Sequence, residues 1–218
     1  MISILCRSRG RPELARKMYD SANQTAEGKI EILFYLDEDD VTKHDYPPNT
    51  LTIIGNENTV NALNLLALES KGDVLLLLGD DTTFKTSGWD TRITDSIPED
   101  EIALFSFDDG RGGGHPHPAI TRKWYETLGY VAWPEFNHWY VDSWLVDMAI
   151  RLDRLIDFKD ILILHEKVMD ETALRIREKK KGWNKKDREI YQSRESIRVS
   201  HTEKLKKVID DFHRSHTL

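Results

Sequence analysis

Residues 71–82 read KGDVLLLLGDDT. Val74 to Leu78 form an unbroken apolar run, too short for an ordinary helix and without polar alternation. Such a run is the signature of a strand buried on both faces, as in the middle of a parallel sheet. It ends at Gly79 and delivers two carboxylates, Asp80 and Asp81, where the chain leaves the sheet. Immediately upstream, Asn58 to Lys71 is predicted as a helix with Leu63, Leu66 and Ala67 on one face and Gly72 as its stop. A helix feeding a buried strand is one half of a βαβ unit.

The same alternation extends outward. ISILC (2–6) is a short apolar strand, followed by Arg-Gly-Arg-Pro and a predicted helix from Pro12 to Ala26, with Pro12 suited to the first turn. IEILFYL (30–36) is a second strand and runs into the carboxylates Asp37, Glu38, Asp39 and Asp40. LTII (51–54) is a third. The second half is less regular. IALFSF (102–107) reads as a strand, GRGGG (110–114) as a loop, and AITRKWYETLGY (119–130) as a strand end entering a short helix. Val141 to Leu152 is a helix with Trp144, Leu145, Met148 and Ala149 inward, and ILILH (161–165) is the final strand. The rest is mostly helical and highly charged. The expected architecture is a single α/β domain over 1–169 with a mostly parallel central sheet, and a helical C-terminal extension over 170–218 packed on it.

Composition sets the bounds. The chain has 218 residues, 39% of them apolar and 32% charged, with six Trp. That suits one globular domain and argues against disorder. No apolar stretch reaches the roughly 18 residues of a membrane span, and MISILCRSRGRPEL lacks the basic-then-apolar order of a signal peptide. Cys6 is the one cysteine, which rules out an intrachain disulfide and a cysteine metal cage; a reducing, cytoplasmic compartment is the simplest expectation. The net charge of −7 does not suit a protein built to coat nucleic acid. Arg175 to Arg188 (RIREKKKGWNKKDR) is nevertheless strongly basic around Trp183, either a nucleic-acid contact or a solvated helix face.

In open α/β sheets, ligands bind beyond the carboxyl ends of the strands. The residues falling there are Arg7, Ser8 and Arg9, then Asp37 to Asp40, then Asp80 and Asp81, and finally His165. Carboxylates, an imidazole and guanidinium groups at one edge suit a divalent cation with an anionic partner such as a diphosphate, and imidazole tilts the metal from Mg²⁺ towards Mn²⁺. Each also has a bland reading. Asp-Asp after a strand is often only a turn, a His there is often structural, and RGRP also suits a solvated turn.

The order of these features resembles the nucleotide-binding half of the GT-A-fold glycosyltransferases, especially family 2. There a stretch like KGDVLLLLGDDT ends in a D-x-D type motif; here the first acidic position is Gly79. Gly88-Trp89-Asp90, the His-Pro and Thr-Arg-x-Trp segment of HPAITRKWYETLGY, HWYVD (138–142) and ILILHEKV resemble small glycosyltransferases of bacteriophages, over roughly residues 1–195. The resemblance implies a nucleoside-diphosphate sugar donor and a Mn²⁺ or Mg²⁺ cofactor. Ser8, Arg9, Arg11, Asp37, Asn61, Asp80 and Lys167 would line the nucleotide, with Lys167 alternatively in solvent. Asp81 and His165 would hold the metal. Asp142 would be the general base of an inverting hexosyl- or pentosyltransferase, or else a helix-start residue. His138, Trp139 and Tyr140 would meet the acceptor, a modified DNA base or a glycan. Two rivals remain: a nucleotidyltransferase, whose first loop is usually richer in glycine and followed by lysine, and a non-catalytic nucleotide-sugar-binding protein, suggested by Gly79.

Overall fold

The structure, a computed structural model, describes residues 1–112, 114–166, 168 and 171–216, the side chains of 171–173 and 175–180 excepted. The first half runs β1 (Ile2–Ser8), α1 (Pro12–Thr25), β2 (Ile30–Asp37), a short 3-10 turn (Lys43–Asp45), β3 (Leu51–Gly55), α2 (Thr59–Glu69) and β4 (Val74–Gly79). The second runs β5 (Thr82–Phe84), α3 (Trp89–Asp95), β6 (Leu104–Asp108), β7 (Ala119–Thr121), α4 (Arg122–Leu128), α5 (Val141–Leu152), β8 (Leu155–His165), α6 (Glu171–Ser193) and α7 (Glu195–His216).

The strands form one sheet in the order β3-β2-β1-β4-β7-β6-β8-β5. β1, β2, β3 and β4 are mutually parallel, and β6 and β8 run the same way; β7 and β5 oppose them. The strand at 74–79 pairs with β1 on one side and β7 on the other, so it is central, as an unbroken apolar run demands. Its side chains alternate between faces. Leu75 and Leu77 join Leu5 and Leu33 beneath α2, α4, α5 and α7, while Val74, Leu76 and Leu78 join Ile4, Cys6 and Phe34 beneath α1 and α3. Leu63, Leu66 and Ala67, and Trp144, Leu145, Met148 and Ala149, are all buried as predicted.

The C-terminal helices are part of this packing. Leu205 and Ile209 of α7 enter the same core as α4 and α5. Arg198 is buried, with its guanidinium over the rings of Trp144 and Tyr191 and its Nε on Asp147. An aliphatic stem on an aromatic face with a paired charge is how an arginine is accommodated in a core. No helix among the described residues is long and apolar enough to cross a membrane.

Three local expectations need correction. The final strand starts at Leu155 rather than Ile161, and its first half carries charged side chains at Asp157, Lys159 and Asp160. Asp157 accepts Ser106 and Asp160 takes Arg92, so the polar residues are satisfied at the sheet margin instead of ending the strand. Gly72 does not stop α2, which is capped at Ser70. A Cβ at Gly72 would lie 2.6 Å from the Ser3 backbone nitrogen, so close passage beside β1 is what requires glycine. The short β5 and α3 carry too few residues to give a periodic signal, and were not expected. Asp90 of the GWD stretch is buried in α3 and accepts the Glu27 and Gly28 N–H groups, which fixes the α1–β2 turn.

Candidate active site

Because β1, β2, β4, β6 and β8 run the same way, their carboxyl ends share one edge. At the first strand end, Asp37 is buried and takes two guanidiniums, Arg7 at 2.8 Å and Arg9 at 2.5 Å; Arg9 also reaches Asp39 at 2.7 Å. Gly10 adopts φ 63 and donates its N–H to Asp40 at 2.7 Å. Burial pushes the Asp40 carboxyl up, but the Gly10 and Thr42 donors outweigh it and hold it below its ordinary value. The acidic run after β2 is therefore the clamp that shapes the arginine turn after β1.

Asp80 lies deeper. Ser8 Oγ donates to it at 2.5 Å, Arg11 approaches to 3.4 Å, and the buried Tyr46 hydroxyl bonds Ser8 at 2.8 Å. Burial pushes the Asp80 carboxyl up to about 6, against the pull of Ser8 and Arg11. Ser8 and Asp80, expected to line the nucleotide, thus sit under the edge and brace it. Burial likewise pushes the Tyr46 phenol up.

Asp81 faces outward beside His165, with Oδ2 and Nε2 3.4 Å apart. Burial raises the Asp81 carboxyl, but the His165 contact and the Arg11 charge outweigh it and leave it lowered. The pairing is built by backbone: Thr82 is opposite His165 in the β5–β8 ladder, Glu166 N–H donates to the Asp81 carbonyl, and His165 N–H to that of Asp109. His117 packs edge-on against His165, ring centroids 4.9 Å apart. Although the residue is only half-buried, its Nε2 is sealed from water and has no hydrogen-bond partner among the described residues. Burial lowers this imidazole to about 4, so it is neutral near pH 7.

Among the described residues no group of three or more His, Cys, Asp or Glu forms a ready-made metal cage. The residues nevertheless fit a divalent cation completed by a ligand. A carboxylate and an imidazole 3.4 Å apart span about the distance between neighbouring ligands on one small cation, and diphosphate oxygens and water commonly supply the rest. Gly79 also makes sense here. A Cβ there would lie 2.8 Å from Asp81 Oδ1, so a side chain at the first position of the motif would displace Asp81.

The aromatic loop before α5 is held from two directions. Asp187 of α6, fully buried, accepts the N–H groups of Asn137, His138 and Trp139 and the Asn137 side-chain amide, at 2.8–3.1 Å. His138 Nδ1 meets Thr59 Oγ1 at 3.0 Å, and Arg7 reaches the same hydroxyl at 3.4 Å. Asp37, Arg7, Thr59 and His138 therefore connect the arginine edge to this loop. Trp139 is 37% exposed, and Tyr140, at φ 67, accepts from Arg188 Nε at 3.0 Å. Asp142 stands in the first turn of α5, its Oδ1 accepting the Ser143 N–H. Asn61 donates its side-chain amide to Glu57 at the start of its own helix. Lys167 lies outside the described residues.

No family model and no curated protein matches the sequence. Solved structures do match in fold. The mannosyltransferase PcManGT of Pyrobaculum calidifontis, in complex with GDP-Man and Mn²⁺, aligns with a TM-score of 0.61 at 13% identity, covering 81% of this chain and 60% of that one. S. aureus TarS 1–349 in complex with UDP gives 0.56 at 11% identity, with coverages of 74% and 59%. Glucosyl-3-phosphoglycerate synthase of Mycobacterium tuberculosis, with Mn²⁺, UDP-Glc and phosphoglyceric acid, gives 0.56 at 14% identity, with 78% and 72%. The fold is that of the GT-A glycosyltransferases. The chain spans about 60% of the length of the first two of these proteins.

Proposed function

We propose that this chain is a metal-dependent glycosyltransferase that moves a hexose or pentose from a nucleoside-diphosphate sugar to an acceptor hydroxyl with inversion. The observation that carries the reading is the Asp81–His165 pair, 3.4 Å apart at adjacent strand ends and beside an arginine-rich turn, on a fold shared with sugar-nucleotide complexes. Asp81 and His165 hold the Mn²⁺ or Mg²⁺ ion, which when bound supplies Lewis-acid stabilisation of the leaving diphosphate. Arg9 and Arg11 face the nucleotide, aimed by Asp37 and Asp80, with Ser8 bracing them from beneath and Asn61 completing that side. Asp142 takes the proton of the acceptor hydroxyl as its oxygen bonds the anomeric carbon and the bond to the diphosphate breaks. One displacement with one base leaves no covalent intermediate, hence inversion.

His138, Trp139 and Tyr140 meet the acceptor, where the partly exposed Trp139 ring offers a stacking face for a sugar or a base. The exposed Lys185, Lys186 and Arg188 flank Asp187 on α6, next to this loop. That supports an anionic acceptor, such as DNA with modified bases, over a neutral glycan. The non-catalytic reading loses its motive, because Gly79 leaves room for Asp81 instead of marking a lost ligand.

Calorimetry with UDP and GDP, with and without Mn²⁺, tests the proposal. Binding is expected with Mn²⁺ and lost in EDTA; equal affinity in EDTA sinks the metal role. Sugar-nucleotide turnover must release nucleoside diphosphate. Release of pyrophosphate from a nucleoside triphosphate would instead make the chain a nucleotidyltransferase.

A further inference from the structure

One cation at the strand-end edge differs from the rest. Arg7 and Arg9 pair with Asp37, Arg11 with Asp80, and Lys17 with Glu166, next to His165 in the chain. Arg111, on the glycine-rich loop after β6, meets no carboxylate through its side chain among the described residues. Its guanidinium makes one hydrogen bond there, from Nη2 to the His165 carbonyl at 2.7 Å, and the residue is exposed. Its place is nevertheless built. Asp108 accepts the Gly110 N–H at 2.8 Å and Asp109 the Arg111 N–H at 2.9 Å. Gly110 and Gly112, at φ 77 and 75, let the chain turn on either side of Arg111. Where the loop returns, His115 Nδ1 meets the buried Ser106 hydroxyl at 3.0 Å. The Asp109 carbonyl also accepts the His165 N–H at 3.1 Å. Arg111 is thus clasped to the residue whose ring stands 3.4 Å from Asp81.

We propose that Arg111 binds the diphosphate of the sugar nucleotide, beside the cation. This rests on the proposed glycosyltransferase function and adds to it a residue from the loop after β6. The charge balance argues for it. Carboxylates at the edge already compensate Arg7, Arg9 and Arg11, and Asp81 offsets part of the charge of a divalent ion. A leaving nucleoside diphosphate gains negative charge as its bond to the sugar breaks, and a positioned cation that no carboxylate has neutralised stabilises it most. A guanidinium presents a planar fork of N–H donors that fits two phosphate oxygens at once. The His165 carbonyl engages only part of that fork, and a neutral carbonyl is a weaker acceptor than a phosphate.

The test uses the full chain at saturating MnCl₂, with calorimetry on two probes: UDP (or GDP, if UDP does not bind) and inorganic pyrophosphate. Saturating metal removes any effect that Arg111 exerts only by placing His165. Arg111→Ala should weaken both probes alike, by about 10–100-fold, with thermal unfolding close to wild type. Arg111→Gln keeps an N–H for the His165 carbonyl but no charge. An equal loss in it separates phosphate binding from support of His165, and it decides if Arg111→Ala does not fold. Affinities within two-fold of wild type, or a loss for the nucleotide with none for pyrophosphate, overturn the assignment and leave the glycosyltransferase reading intact. So does a loss in Arg111→Ala that Arg111→Gln restores. A wild-type chain that binds no probe with Mn²⁺ overturns both.

Discussion

The arginine edge and the aromatic loop are stabilised by opposite means. At the edge, Arg7 and Arg9 pair with Asp37, and Arg11 with Asp80, so each cation meets a carboxylate from a neighbouring strand of the same sheet. The loop touches that edge through His138 and Thr59, but its main-chain support comes from elsewhere. Its N–H groups at 137, 138 and 139 converge on one buried carboxylate, Asp187, borrowed from a helix about 50 residues further along the chain. The edge is thus fixed by the sheet, and the loop by the C-terminal helices. If that is right, damage to one should leave the other standing, and the two should divide nucleotide binding from transfer.

The largest effect should come from Asp142→Asn. A base acts in the transition state, so its loss should cost about 10²–10⁴-fold in kcat while sugar-nucleotide affinity stays within a few-fold. Steady-state kinetics read this split, and NMR of the product should show inverted configuration. Near-normal turnover would make Asp142 a helix-start residue, and a retained configuration would exclude the single displacement.

Asp187→Ala comes next. It leaves the part-buried N–H groups at 137–139 and the Asn137 amide without their acceptor, for an expected loss of about 3 kcal/mol in urea unfolding. UDP binding with Mn²⁺ below the unfolding transition should be unchanged. If UDP affinity falls as well, the two regions are not independent and the comparison breaks.

Asp80 gives a pH signature on the edge alone. Its carboxyl is raised to about 6 by burial, so the folded state holds this proton more tightly than the unfolded chain does. The stabilisation is complete below the unfolded pKa of about 4 and disappears as pH rises through about 6. In EDTA, wild type should therefore lose on the order of 3 kcal/mol from this group between pH 4 and 7, and Asp80→Asn should lack that component. Parallel pH profiles for the two proteins would show that Asp80 titrates normally.

The smallest effects are expected from Asp81→Ala and His165→Ala, whose side chains are partly exposed and outside the apolar core. Metal-dependent UDP affinity should fall by roughly 10–100-fold with thermal stability close to wild type. A variant that unfolds, or that binds UDP and Mn²⁺ like wild type, would mark that residue as structural.

The residues themselves show where sequence reading succeeds. Val74 to Leu78 could be recognised because burial on both faces excludes every polar side chain, and the chemistry beyond it followed from strand direction alone. Arg9, Asp37, Asp81 and His165 were found this way, Arg11 only through the family resemblance, and the structure brings them to one edge. The method named the strand-end residues but not their depth. Ser8 and Asp80 share the edge in sequence, yet their burial beneath it depends on Tyr46, which arrives from the loop after β2.

Local periodicity, strand-end polarity and the pattern of helix and strand were determined by the sequence itself, because each is a property of neighbours within a turn or a pleat. Tertiary structure alone decided that Gly72 answers to Ser3 rather than to α2, that Asp187 holds the loop at 137–139, and that His117 leans on His165. The reason is the same in each case. A close backbone approach, a buried carboxylate's choice of donors and a ring contact between two histidines are set by partners some 50 to 70 residues away, and no local pattern encodes a partner that only folding supplies.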